Sequence, residues 1–141
     1  MSRSDSQIRT ELFKIAAELV NDRLEKQIEK LVNDAEIVGE TGTYTTPEDT
    51  RVAEAQAITK TWFDFYSTKG GDDMLESIKQ AYELANSKYQ DVVTQLRFNA
   101  IKFDVTGTEV LSRSAYTLPT DTRVEDTMVS AAMFYDLITT G

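Results

Sequence analysis

Two tetrapeptides, Asp49-Thr-Arg-Val52 and Asp121-Thr-Arg-Val124, are identical, and each places an arginine two residues after an aspartate. The planar guanidinium suits bidentate capture of a phosphate or carboxylate. Arg51 and Arg123 are therefore candidate anion ligands, offered twice. The plainer structural alternative has each aspartate capping a helix while each arginine pairs with an acid such as Glu18 or Glu83.

Carboxylates are the main remaining chemical resource. The chain contains no cysteine and no histidine, which removes thiolate nucleophiles, the commonest zinc ligands and the commonest general acid/base. A carboxylate hydrolase would draw on Glu11/Glu18 or Glu76/Glu83, each pair seven residues apart. That spacing equally describes the solvated face of a helix. Asp72, Asp73 and Glu76, or Glu48 and Asp49, could hold a hard cation, but no twelve-residue calcium loop is present and acids at helix starts complement the helix dipole. The segment Ser67-Thr-Lys-Gly-Gly-Asp-Asp73 lacks phosphate-loop spacing and has acids where phosphate would sit. Trp62, Phe63, Phe65 and Tyr66 could stack a base or cage a cation. Aromatics at this density on a helix more simply form core, with Phe65 or Phe63 left to face outward. No catalytic, cofactor or metal residue is assigned, and an enzyme is not expected.

The elements that carry these residues are repeated. At an offset of 65, Glu11–Thr43 aligns with Glu76–Thr108 with 11 identities in 33 pairs, among them Asn21/Asn86 and a shared Thr-Gly-Thr. After seven additional residues the offset becomes 72, and Tyr44–Tyr66 aligns with Tyr116–Ile138 with 8 identities in 23. An internal duplication of a helix–extended arm–helix unit is expected. Two copies are too few for a solenoid, so a mainly α, pseudo-twofold four-helix arrangement with small β-hairpin arms is predicted. The units are residues 1–66 and 75–141, joined by a linker at 67–74, within one compact domain.

Periodicity supplies the details. Ile8, Leu12, Ile15, Leu19, Leu24, Ile28, Leu31 and Ala35 predict a helix over about 4–37. Leu75, Ile78, Tyr82, Ala85, Tyr89, Val92 and Leu96 predict a second over about 72–96, with Asp72 or Asp73 as N-cap. Pro47 and Pro119 precede the closing helices, whose inward stripes are Val52, Gln56, Thr59, Trp62, Phe63, Tyr66 and Val124, Met128, Ala131, Phe134, Tyr135, Ile138. Alternation at Ile101, Phe103 and Val105, returning through Glu109–Leu118, predicts a hairpin arm; the corresponding stretch of the first copy is seven residues shorter.

The net charge is −9, divided as −4 over residues 1–70 and −5 over 71–141, with no basic arm. Direct nucleic-acid binding, which depends on Lys/Arg–phosphate contacts, is not expected. No apolar run is long enough to cross a membrane, and the N-terminus lacks the apolar core of a secretory signal, so a cytoplasmic protein or a component of a particle assembled there is expected. The pattern predicts a non-catalytic assembly protein, a homo-oligomer or a member of a larger complex. By architectural analogy alone, small helical proteins with protruding hairpins occur as ring or connector components, as in tailed-phage necks. The candidate interface residues are Phe65, Ile101, Phe103, Val105, Val110, Leu111 and Arg113. The alternative is an acidic regulatory module that occupies a partner's basic surface.

Overall fold

The computed structural model describes residues 3–37, 45–103, 109–113 and 115–140. Its elements, in chain order, are α1 (Asp5–Ile37), α2 (Arg51–Tyr66), α3 (Gly71–Ala100), β1 (Ile101–Phe103), β2 (Glu109–Arg113) and α4 (Arg123–Thr140). The described chain is mainly helical. None of its helices is long and apolar enough to cross a membrane.

Each helix start has a local cause. Before α1, the Gln7 N–H donates to Ser4 Oγ at 3.2 Å and the Ser4 N–H donates to Gln7 Oε1 at 2.8 Å, a reciprocal capping box. α2 and α4 both open after an aspartate whose Oδ1 accepts the first helical N–H: Arg51 N to Asp49 at 3.2 Å and Arg123 N to Asp121 at 3.1 Å. α3 starts differently. Gly70 and Gly71 have φ of 69° and 86°, values that glycine reaches without the Cβ penalty. The Gly70 N–H closes onto the Tyr66 carbonyl at 2.8 Å, and the Gly71 N–H donates to the Tyr66 hydroxyl at 3.0 Å. The expected linker at 67–74 is thereby shortened to residues 67–70, and the helix begins ahead of the acids expected to cap it. Asp72 and Asp73 lie in its first turn, where they complement the dipole.

α1 and α3 run parallel. Ion pairs or hydrogen bonds join Arg3 to Asp72, Glu11 to Lys79, Asp22 to Gln90 and Glu29 to Arg97, stepping the same way along both helices. α2 folds back on α1: Arg51 meets Asn21 near its start, and Arg9 lies over the Phe63 ring near its end. α4 folds back on α3, with Arg123 against Asn86 and Tyr89 at one end and Tyr135 near Lys69 at the other. β1 and β2 pair antiparallel, with Ile101 opposite Arg113 and Phe103 opposite Glu109, so β2 spends two more residues than β1 over that interval.

The core fills the N-terminal halves of the long helices: Ile8, Leu12, Ala16 and Leu19 from α1; Ala55, Ile58 and Trp62 from α2; Leu75, Ile78 and Tyr82 from α3; and Ala131 from α4. The stripe expected on α3 slips by one residue toward its end. Val93 is fully buried while Val92 is 48% exposed. The step from Tyr89 is four residues rather than three, because the 3.6-residue period overruns a strict heptad. On α2, Val52 and Gln56 were expected inward and are exposed; Ala55 and Ile58 take the core positions. Ile138, at the end of the α4 stripe, is 47% exposed.

Candidate functional site

The arginines of the two Asp-Thr-Arg-Val segments do not pair with Glu18 or Glu83. Each is held by the aspartate two residues before it. Arg51 donates through Nε and Nη2 to the two oxygens of Asp49, at 2.9 and 2.7 Å, and through Nη1 to Asn21 Oδ1 at 2.6 Å. Arg123 repeats the arrangement on Asp121, at 2.9 and 2.8 Å, and on Asn86 at 2.9 Å. Each aspartate, one residue ahead of the cap position that Thr50 holds at α2, thus accepts the first helical N–H and grips the side chain of the same arginine.

Burial separates the two clamps. The Arg51 and Asp49 side chains are 41% and 54% exposed, whereas the Arg123 side chain is 1% exposed. Arg123 also donates to Asp22 at 2.8 Å and stacks on the Tyr89 ring, 4.0 Å from its centroid. Its donors are committed, so it is not a free anion ligand. Around it the charges alternate. Glu54 accepts from Arg23 at 3.1 Å, Arg23 also donates to Asp121 at 2.9 Å, Asp121 and Asp22 flank Arg123, and Lys26 donates to Asp22 at 2.8 Å. Gln90 adds a 2.9 Å bond to Asp22. Three acids and three bases from α1, α2 and the start of α4, steadied by amides of α3, therefore form one neutral network.

Burial alone would raise the carboxyls of Asp121 and Asp22, but the hydrogen bonds outweigh it. Asp121, gripped by Arg123 and Arg23, and Asp22, gripped by Lys26 and Arg123, both sit below the ordinary carboxylate range. At the exposed clamp, Arg51 holds Asp49 at about 2. Solvent screens the Asp49 pair, so the stability at stake is that of Asp121 and Asp22. Folded values below unfolded ones mean stability that is fully present above the unfolded value of about 4 and lost as pH falls through the folded values. The denaturation midpoint is expected to be level from neutrality to about pH 5 and to fall progressively below it. A midpoint that stays level into strong acid would show that these pairs do not stabilise the fold.

Glu11, Glu18 and Glu83 line a groove of about 440 Å³ between α1 and α3, together with Lys14, Lys79 and Tyr82. Lys79 pairs with Glu11 at 3.4 Å. Burial pushes the Tyr82 hydroxyl up to about 12, so it stays neutral beside the acids Glu18 and Asp22. Among the described residues no group of three or more His, Cys, Asp or Glu is placed to hold a metal ion. At the Ser67–Asp73 segment the Tyr66 hydroxyl occupies the Gly71 N–H, which a phosphate would have required.

The aromatic group divides between core and edge. Trp62 is fully buried, donates Nε1 to the Val124 carbonyl at 3.2 Å and meets Tyr82 edge-on, with centroids 6.0 Å apart. Phe63 lies half-buried under Arg9 at 4.1 Å, and Phe65 packs half-buried against the core. Of the other expected interface residues, Ile101 and Phe103 fall in β1 and Val110, Leu111 and Arg113 in β2, while Val105 lies outside the described residues, as do both Thr-Gly-Thr triplets and most of the shorter first arm.

The sequence reasoning missed the outer face of α4. Val129, Met133 and Leu137, at i, i+4 and i+8, are 64%, 63% and 72% exposed. They form an oblique apolar ridge that rises about 12 Å along the helix axis. The signal was present: with Val124, Met128, Ala131 and Phe134 already assigned inward, α4 is apolar on two faces, and a surface helix requires only one. The chain matches no protein-family profile, no curated protein and no solved structure.

Proposed function

We propose that this chain is a non-catalytic assembly protein that seats another protein chain along the outer face of α4. The observation that carries the proposal is the exposed row Val129–Met133–Leu137. Isolated apolar side chains on a surface need no explanation, but an aligned row on one helix marks an interaction site.

Two further features support it. We also propose that the chain is an internal duplication, on the strength of the matched Asp49–Arg51–Asn21 and Asp121–Arg123–Asn86 clamps and the parallel α1/α3 pair. The agreement is incomplete, because Leu19 is buried where the aligned Leu84 is 39% exposed. In that alignment Ala57, Thr61 and Phe65 of α2 stand where α4 has Val129, Met133 and Leu137. Ala57 and Thr61 are exposed but small or polar, and Phe65 turns onto the core. The fold therefore does not demand an apolar row at this position. The β1–β2 arm, bearing Ile101, Phe103, Val110, Leu111 and Arg113, is proposed as a second contact, because a two-stranded ladder leaves outer edges open to pairing.

The test is the fluorescence anisotropy of a labelled amphipathic helix with a leucine seam and uncharged flanks. The intact chain is expected to bind it, and Met133→Glu to weaken binding at least about tenfold without shifting the melting temperature. Equal binding to both chains, or a lowered melting temperature for the variant, would remove the row from consideration as a docking face.

A further inference from the structure

Resting on that reading, we infer that the occupant of the α4 face is a helix of a different protein, with an apolar seam flanked by Lys or Arg. The chemistry of the edge carries this inference. α4 has no basic residue after the buried Arg123. Helical geometry makes Glu125, four residues before Val129, the continuation of the row at one end with Asp126 beside it, and sets Asp136 on its flank between Met133 and Leu137, all three exposed. Lys88 of α3 lines the same hollow as Asp126, and Lys69, just ahead of α3, lies 6.0 Å from the ring of Tyr135, the neighbour of Asp136 in sequence. After Arg123, α4 itself contributes only acids.

A second copy fits this face poorly. Two apposed α4 faces offer no Lys or Arg after Arg123 to each other's Glu125, Asp126 and Asp136, on chains that each carry a net charge of −9. Like charges across an interface cost affinity and slow encounter, whereas a basic rim on the partner raises the association rate and fixes orientation. The apolar row alone is shorter than a standard interface requires. Selection of the partner therefore falls to the charged edge, and binding weakens as salt screens it.

The experiment compares two labelled helices with the same leucine seam, one flanked by Lys and the other by Glu, on the full chain. The Lys-flanked helix is expected to bind at least about tenfold tighter at low salt, with the gap closing at high salt. Glu125→Lys/Asp136→Lys is expected to invert the order. Equal binding of the two helices at low salt, with no response to the charge reversal, overturns the inference while leaving the docking face supported by the uncharged helix. If the uncharged helix also fails to bind, the docking reading falls as well. A rise in the mass of the chain alone at low salt, abolished by Met133→Glu, would instead make a second copy the occupant and overturn the inference.

Discussion

Arg123→Met is expected to destabilise the fold by about 3–5 kcal/mol, the usual loss when one partner of a buried ion pair is removed. The substitution keeps most of the side-chain volume and withdraws the charge, leaving Asp121 with Arg23 and the backbone N–H of residue 123, and Asp22 with Lys26 and Gln90. Asn86 loses a donor as well. Arg51→Met is the control. It removes the same contacts, a bidentate aspartate and an asparagine, but in solvent, where water replaces them and the pair contributes little. Its denaturation midpoint is expected to stay close to that of the parent chain. Arg123→Lys should recover only a small part of the loss, since an ammonium can neither fork onto both Asp121 oxygens nor stack flat on Tyr89. Equilibrium denaturation of the three variants decides the matter. If Arg123→Met and Arg51→Met shift the midpoint equally, burial does not separate the clamps.

The contrast also marks where the sequence was legible. The two long helices, the first halves of their stripes, the aspartate at the start of α2 and of α4 and the buried placement of Trp62 follow from local period and local chemistry, and they stand in the structure. Beyond Val20, however, the buried positions of α1 are Lys26, Asn33 and Ala35 rather than Leu24, Ile28 and Leu31. The acid partner of each arginine did not follow. Glu18 and Glu83 were attractive because they recur, yet an aspartate two residues away can reach both the helix N–H and the guanidinium at once, and proximity in sequence wins. The alternating network was not legible either, because its members come from positions 22, 23, 26, 54, 121 and 123. Their meeting depends on α1 lying beside α3, with residue 11 near 79 and 22 near 90, and on α2 and α4 folding back onto them. The α4 face was overlooked for a different reason. A stripe argument finds the face that packs, and once Met128 and Phe134 satisfied it, the second row had no reason to be sought.

Trp62→Ala is expected to cost about 3–5 kcal/mol, the range for truncating a fully buried large aromatic. The location of the loss is as informative as its size. Trp62 belongs to α2, yet its ring meets Tyr82 of α3 and its Nε1 serves the Val124 carbonyl at the start of α4. It therefore joins the α1–α2 pair to the α3–α4 pair through the apolar core, next to the charge network that Arg123 centres. Trp62→Phe should lose the Nε1 bond and part of the volume, and fall between the parent and the alanine variant. Because Trp62 is the sole tryptophan, unfolding is followed by far-ultraviolet circular dichroism rather than by fluorescence. One cooperative transition with an unchanged denaturant slope is expected, displaced to lower denaturant. Two separate transitions in the alanine variant would mean that the helix pairs hold together on their own and that Trp62 only docks one on the other. A single transition means that neither pair has a core without its neighbour, as expected when Leu12, Leu19, Leu75 and Ile78 all face one shared interior.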